Sequence, residues 1–539
     1  MKKFVFATLL ALPLAAADVN VSAADRILDR LVEREQQFLT SIRARTPLIE
    51  TYIQETPAAV AADAHPSKDH YFLGRFRLGE TVGYESLVER TDTPPPARHG
   101  LLPHSPKTQP MVFLPRGFAQ MAVIDLHDFN RHTYRMEYVR REFLGEVRCV
   151  VFDIAPINRM QPGKFIGRLW ADDRDFAIVR FNGTYVPQPP AKGAPPERFF
   201  HFDSWRVNVA PGEWAPAQIY IEEEPAPGEP ASGLPRFKAQ SRIWDYAGAK
   251  TNKLDELTNI LIESQAPVKD QAAEKELSPL ESQRSWERQA EENLIDRLER
   301  GGLIAPAGPV DEVLNTVVNN LIVAGNLNVD ARVRVLLTTP LETFSIGHTI
   351  IISRGLIDVL PDEASLALML ADELAHIALG HATQTQFAFH NQTMLSDAEL
   401  LQRFRFERSP VEMAEAAKKT IEIMKASPYQ KMANAGLFLK ALASHSQALP
   451  RLLQANLGNQ VANADALARL AEFTAAAPAL DEAKLEQIAA LPLGSRVKLE
   501  PWTNRIELMK ARPVSLLSPR EKMPFEVSPF VLYLTRTAK

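Results

Sequence analysis

The residues best suited to chemistry are Asp372-Glu-Leu-Ala-His376, one position away from H-E-x-x-H. On a helix, two ligands four residues apart share a face and can reach one zinc ion. The Glu between them points at the ion's water as general base. A third ligand from another helix completes such a site and leaves one position open for that water. Glu373 is therefore the candidate catalytic base and His376 a candidate metal ligand, while Asp372 stands where the first His belongs. A carboxylate binds zinc at about 2.0–2.2 Å, so Asp372 could be a shorter substitute ligand. It could equally pair with His376, its neighbour one helical turn away, which needs no metal. An unpaired carboxylate in so apolar a helix is costly, so one of the two is expected.

The elements that would position these groups can be traced outward. An amphipathic helix is expected over 310–323, strands over 331–338 and 349–353, and a helix after Pro361 that carries Leu366 to His381. The run Phe344-Ser-Ile-Gly-His-Thr-Ile-Ile-Ile-Ser-Arg-Gly-Leu356, with Asp362-Glu363 before the helix and His381 after it, resembles the HtpX and CAAX-prenyl-protease family of zinc metallopeptidases. That resemblance covers roughly 310–450. It implies a zincin-like fold with a substrate-lining edge strand leading into the zinc helix, and a later helix bearing a third-ligand Glu and, four residues on, a supporting Asp. Here those two positions hold Met413 and Ala417, on one helical face with Thr420, Ile421 and Met424, so the face reads as packing. A one-residue slip would offer Glu412 as the third ligand. Ser409-Pro410-Val411-Glu412 also has the form of a capping box with Pro at the first helical position, and that reading is preferred. Losing one supporting group typically weakens metal binding or activity about 10–100-fold. Losses at Asp372, Met413 and Ala417 together therefore predict no tight zinc unless Asp372 and Glu412 both step in.

At 539 residues the chain exceeds one core, and its composition, 45% hydrophobic and 24% charged, is that of a globular protein. With 61 Lys and Arg against 66 Asp and Glu, no basic field forms, and nucleic acid is not an expected partner. Lys2-Lys3, the apolar stretch to Ala17 and Ala15-Ala16-Ala17 read as a secretory signal over 1–17, implying a periplasmic or secreted protein with no transmembrane helix in the mature chain. The lone Cys149 reads as a small buried hydrophobe.

A helical pattern is expected from Ala24 to about Thr56, then β-rich runs punctuated by Pro and Gly up to about 250. The runs Phe143 to Phe152, Phe165 to Trp170 and Phe176 to Phe181 resemble the lipoprotein-carrier (LolA-like) half-barrels. The resemblance implies a curved sheet around a helix and an apolar cavity able to hold an acyl chain. A charged helical connector is expected over 251–300, the metallopeptidase-like domain over 301–450, and a helical, strand-containing extension over 451–539.

The fold class is thus α+β: an antiparallel curved sheet, half-barrel-like, plus a mainly helical zincin-like domain. The leading functional reading is an exported, degenerate peptidase that binds or scaffolds a protein or peptide partner. The alternatives are an active zinc metalloendopeptidase with a variant ligand set, and binding of lipid by the β domain. Zinc is the implied cofactor if the site is active, and possession of none is the other outcome.

Overall fold

The computed structural model describes residues 23–57, 66–88, 111–187, 200–223, 235–247, 279–386, 388–389, 396–430, 433–461, 470–481, 494, 496–509 and 525–537. The expected leader, most of the two Pro-rich runs and the first half of the connector lie outside these residues.

Helix α1 (Ala23–Arg43) opens the described chain, and strand β1 (Leu48–Thr56) follows it. The helical pattern expected as far as Thr56 thus ends at Arg43. Pro47 disfavours helix in the residue before it, and β-branched Ile49, Thr51 and Ile53 suit a strand. Ile49 and Ile53 pack in the core under α1, whereas Leu48 and Tyr52 belong to the core on the other side. A strand covered on both faces shows no polar alternation to betray it.

Strands β2 (Lys68–Leu78) and β3 (Val82–Ser86) continue from β1. After the short helix α2 (Pro115–Gln120) comes an unbroken meander: β4 (Tyr134–Leu144), β5 (Val147–Pro156), β6 (Phe165–Asp172), β7 (Ile178–Tyr185), β8 (Phe200–Ala210), β9 (Glu213–Glu223) and β10 (Arg236–Trp244). β1 pairs with β10, so all ten strands form one open, curved antiparallel sheet in the order β3-β2-β1-β10-β9-β8-β7-β6-β5-β4. Alternation along β5 shows how the sheet is sandwiched. Val150, Phe152 and Ile154 face the core that contains α1 and α2, while Val147, Cys149 and Val151 face Trp205 and Leu534. Cys149 is buried, as expected, and burial pushes its thiol up to about 12. The run Phe530–Leu534, strand-like in sequence, is not a strand; it lies against the sheet, with Glu146 N–H donating to Leu534 O.

The second unit is mainly helical. Helix α3 (Pro279–Arg300) buries Ala290, Leu294, Ile295 and Leu298 in its core, so this part of the expected connector has a packed face. Helix α4 (Pro309–Ala324) leads to β11 (Arg332–Leu336), β12 (Glu342–Ile346) and β13 (Thr349–Ser353). Gly347 takes the left-handed conformation that the tight β12–β13 turn requires. Helices α5 (Arg354–Val359), α6 (Glu363–Ala378), α7 (Asp397–Leu401), α8 (Pro410–Ala426), α9 (Ala433–His445) and α10 (Pro450–Leu453) follow, then the two-residue strand β14 (Asn459–Gln460). The small sheet runs β11-β13-β12-β14. Among the described residues no helix is long and apolar enough to cross a membrane.

The two units share one core. Leu48, Tyr52, Leu73 and Trp244 of the large sheet are buried with Val317, Leu356 and Leu442 of the helical unit. Polar groups cross the same joint. Glu50 accepts from Tyr71 Oη at 2.9 Å, Thr339 Oγ1 at 2.7 Å and Arg354 Nη2 at 3.0 Å. Asp69 accepts the N–H groups of Arg451 and Leu452, at 2.9 and 2.8 Å. Gln54 exchanges two hydrogen bonds with the backbone of Phe525 and Val527.

Candidate functional site

Helix α6 carries the signature. Asp362 caps it by accepting from Ser365 N and Oγ at 2.8 and 2.7 Å, which satisfies donors that the first turn leaves open. Its middle is apolar on nearly every side, Leu368, Leu370, Ala371, Leu374 and Ala375 all being buried. Such a helix lies in the interior, so any polar side chain on it needs a partner.

Glu373 is 3% exposed. Burial pushes its carboxyl up to about 7, reinforced by the nearby charge of Asp372. Arg408 and the hydroxyls of Ser345 and Thr343 act the other way. Thr343 and Ser345 alternate with inward Phe344 on β12, so both hydroxyls come from one face of that strand. Arg408 is held by β12 and by the chain after α6, donating to Ser345 Oγ at 3.0 Å and Ala382 O at 2.6 Å. Arg408, Thr343 and Ser345 were not anticipated from sequence. The period-2 pattern of 342–346 offered a signal for the hydroxyls. Nothing local offered one for Arg408.

Asp372 receives a hydrogen bond from Thr420 Oγ1 at 3.1 Å. Thr420 lies on α8, on the face with Ala417 and Met424 that packs against α6, and all three are buried. His376, 1% exposed, has its Nδ1 2.8 Å from Nδ1 of His381, whose Nε2 lies 3.3 Å from Glu415. One nitrogen of the close pair must carry a proton and the other must accept it.

Glu412 is engaged elsewhere. Its Oε2 accepts from Ser409 N and Oγ, both at 2.9 Å, while Ser409 Oγ accepts from Glu412 N at 3.3 Å. This is the capping box, and the two bonds from Ser409 hold the Glu412 carboxyl below its ordinary range. Met413 begins the same helix, half-buried.

Asp372, Glu373 and His376 thus share one helix, and the structure does not bring Glu412 to them as part of a ligand set. Among the described residues no group of three or more His, Cys, Asp and Glu side chains is placed to hold a metal ion. The donor set as arranged does not fit a zinc ion.

The strand beside Glu373 is also covered. β12 pairs with β13 on one side and, at Glu342 and Thr343, with β14 on the other. The β14 turn sits close: a Cβ on Gly458 would lie 2.7 Å from Thr343 O and from Phe344 Cβ. Further along β12, Arg408 Nη2 lies 3.3 Å from Ser345 O. The substrate-lining edge strand that the family resemblance implied is therefore not free over these residues.

Residues 311–484 match peptidase family M48. No curated protein matches the chain. Among solved structures, a LolA superfamily protein from Nitrosomonas europaea is 14% identical, the alignment covering 41% of this chain and 91% of that one, with a TM-score of 0.22. A DUF1329 family protein from Desulfovibrio piger is 8% identical over 40% and 90% of the two chains, with a TM-score of 0.18. The MucA/MucB complex of Pseudomonas aeruginosa is 9% identical over 40% and 93%, with a TM-score of 0.13. Scores of this size leave the ligands and partners of the large sheet to be argued from its own residues.

Proposed function

With residues 311–484 carrying a peptidase family M48 domain, we propose that this chain is an exported pseudopeptidase that binds or scaffolds a protein or peptide and does not cleave it. The observation that carries the reading is the face between α6 and α8. Asp372 occupies the first ligand position and is bonded to Thr420, while Met413 and Ala417 occupy the later positions that the family resemblance assigns to Glu and Asp. A hydroxyl partner, the buried methyl of Ala417 and the half-buried Met413 satisfy this face without a cation. Glu373 retains the place of the base, but no described ligand set fits the metal that would lower the pKa of its water. Coverage of β12 by β14 and Arg408 supports the same reading, because an extended substrate would need that strand's free backbone groups. Export rests on the signal-like residues 1–17 alone.

Two measurements on protein purified without chelators test this. Metal analysis is expected to give far less than one zinc per chain. Casein hydrolysis is expected to be equal in wild type and Glu373→Gln. One tightly held zinc that Asp372→Ala releases, together with hydrolysis that Glu373→Gln abolishes, would establish an active peptidase and overturn the proposal.

A further inference from the structure

A cavity of about 180 Å³ lies where the large sheet meets the helical unit, and Glu373 does not line it. Its walls include Leu73 and Leu87 from the sheet and Leu303, Leu336 and Leu457 from the helical unit, all buried. Its polar lining is unusual for such a place. Glu342 is 0% exposed. Its Oε2 is fully engaged, accepting the N–H groups of Asn456, Leu457 and Gly458 at 2.9, 3.0 and 3.4 Å. Its Oε1 is buried and has no hydrogen-bond partner. The hydroxyl of Thr338, 3% exposed, lines the same cavity, buried and without a partner. The buried amide nitrogen of Asn456 lines it too; it lies near enough to Glu342 to help lower that carboxyl, but makes no well-formed hydrogen bond.

A buried acceptor or donor left unpaired costs about 1–3 kcal/mol, and more when charged, so native interiors hold few of them. Three groups without a well-formed hydrogen bond converge on this one cavity, and the proximity of the Asn456 amide leaves the Glu342 carboxyl only partly satisfied. A carboxylate oxygen and a hydroxyl among leucines call for a guest with N–H donors, and a cationic donor satisfies a carboxylate best. The Asn456 amide calls for an acceptor on the same guest. Arg405 and Arg451 line the more exposed end and suit further carbonyls or a carboxylate. An ammonium followed by an apolar branch, a carbonyl and then more acceptors is the amino end of a peptide.

We infer that this cavity captures the amino terminus of a short peptide, its ammonium on Glu342 and Thr338, its first carbonyl on Asn456 and an apolar first side chain among the leucines. None of Asp372, Glu373, His376 and Glu412 lines the cavity, so the inference stands whether or not the signature residues are active.

Calorimetric titration of the full-length chain with Leu-Gly-Gly and with its N-acetyl form tests the inference. The free-amine peptide is expected to bind saturably, one per chain, and acetylation to weaken it roughly ten- to a hundredfold, the worth of a charge-assisted hydrogen bond. Glu342→Gln is expected to weaken the free-amine peptide similarly. Because Glu342 also holds the 456–458 turn, Thr338→Val is the cleaner variant: it removes a hydroxyl that makes no hydrogen bond within the protein. It is expected to cut affinity several-fold without lowering the melting temperature. No binding at millimolar peptide, equal binding of the acetylated form, or unchanged affinity in Thr338→Val overturns the inference and leaves a cavity for water alone.

Discussion

The joint between the two units and the region around the signature helix both give acidic side chains protein partners, and they do so in different ways. At the joint, carboxylates reach across units: Glu50 on β1 bonds Thr339 and Arg354, and Asp69 on β2 caps the backbone of Arg451 and Leu452. Around the signature helix, the bonds stay within the helical unit: Asp372 with Thr420, His376 with His381, Glu412 with Ser409. Partners spread over distant chain segments fix one relative placement of the sheet and the helices. Partners within one unit satisfy polar groups but bring together no ligand set. The buried charge of this molecule therefore serves assembly of its two halves more visibly than it serves a metal.

The largest expected effect breaks that comparison at the joint. Glu50 and Arg354 are each 1% exposed, and Glu50→Ala strands a buried guanidinium together with Thr339 and the Tyr71 hydroxyl. Breaking a buried pair from one side costs about 3–5 kcal/mol. Urea unfolding of Glu50→Ala is expected to show a loss of that size. A loss under about 1 kcal/mol, the level of an exposed pair, would mean that the joint is not held this way.

The joint also explains what was legible in sequence and what was not. Strands β4 to β7 and β9 and the elements 309–324, 349–353 and 363–378 followed from β-rich runs and helical period, because each has a polar side or clear punctuation, whereas β8 and β10 were not singled out. β1 is not legible as a strand in the sequence because apolar layers cover both its faces, which erases the alternation. The capping box was legible because Ser409 and Glu412 are three residues apart. Contacts such as Thr420 with Asp372, Arg408 with Ser345, and β14 with β12 join segments dozens of residues apart, and no local rule pairs them. The same separation makes residues 24–250 a poor isolated fragment, since Leu48, Tyr52, Leu73 and Trp244 would lose their cover.

A second prediction sharpens the comparison by titration. Burial pushes both Glu373 on the signature helix and Glu342 at the joint up to about 7 from an ordinary 4.5. An acid whose pKa is raised by folding binds its proton more tightly in the native state than in the unfolded chain. Its stabilising contribution is whole below about pH 4.5 and is lost as pH rises to about 7. A shift of this size corresponds to roughly 3 kcal/mol for a fully buried group. Urea midpoints of wild type and Glu373→Gln at pH 4.5 and 7 are expected to differ in slope, the variant losing less of its stability by about that amount. Parallel curves would place the Glu373 carboxyl in a better solvated cleft than its 3% exposure indicates.

The smallest effect decides between two roles for Glu412. In a capping box the Ser and the Glu act together, so Ser409→Ala and Glu412→Ala are each expected to destabilise by about 1 kcal/mol. The double variant is expected to cost less than their sum, because either change alone already breaks the reciprocal bonds. Zinc content is the second readout. If Glu412 serves only α8, Glu412→Ala leaves metal content where it was, and Ser409→Ala does the same. A ligand role predicts the opposite split: Ser409→Ala would free the carboxylate and raise zinc occupancy, whereas Glu412→Ala would abolish it. Additive stability losses combined with that split would return Glu412 to the metal face, and Asp372 with it.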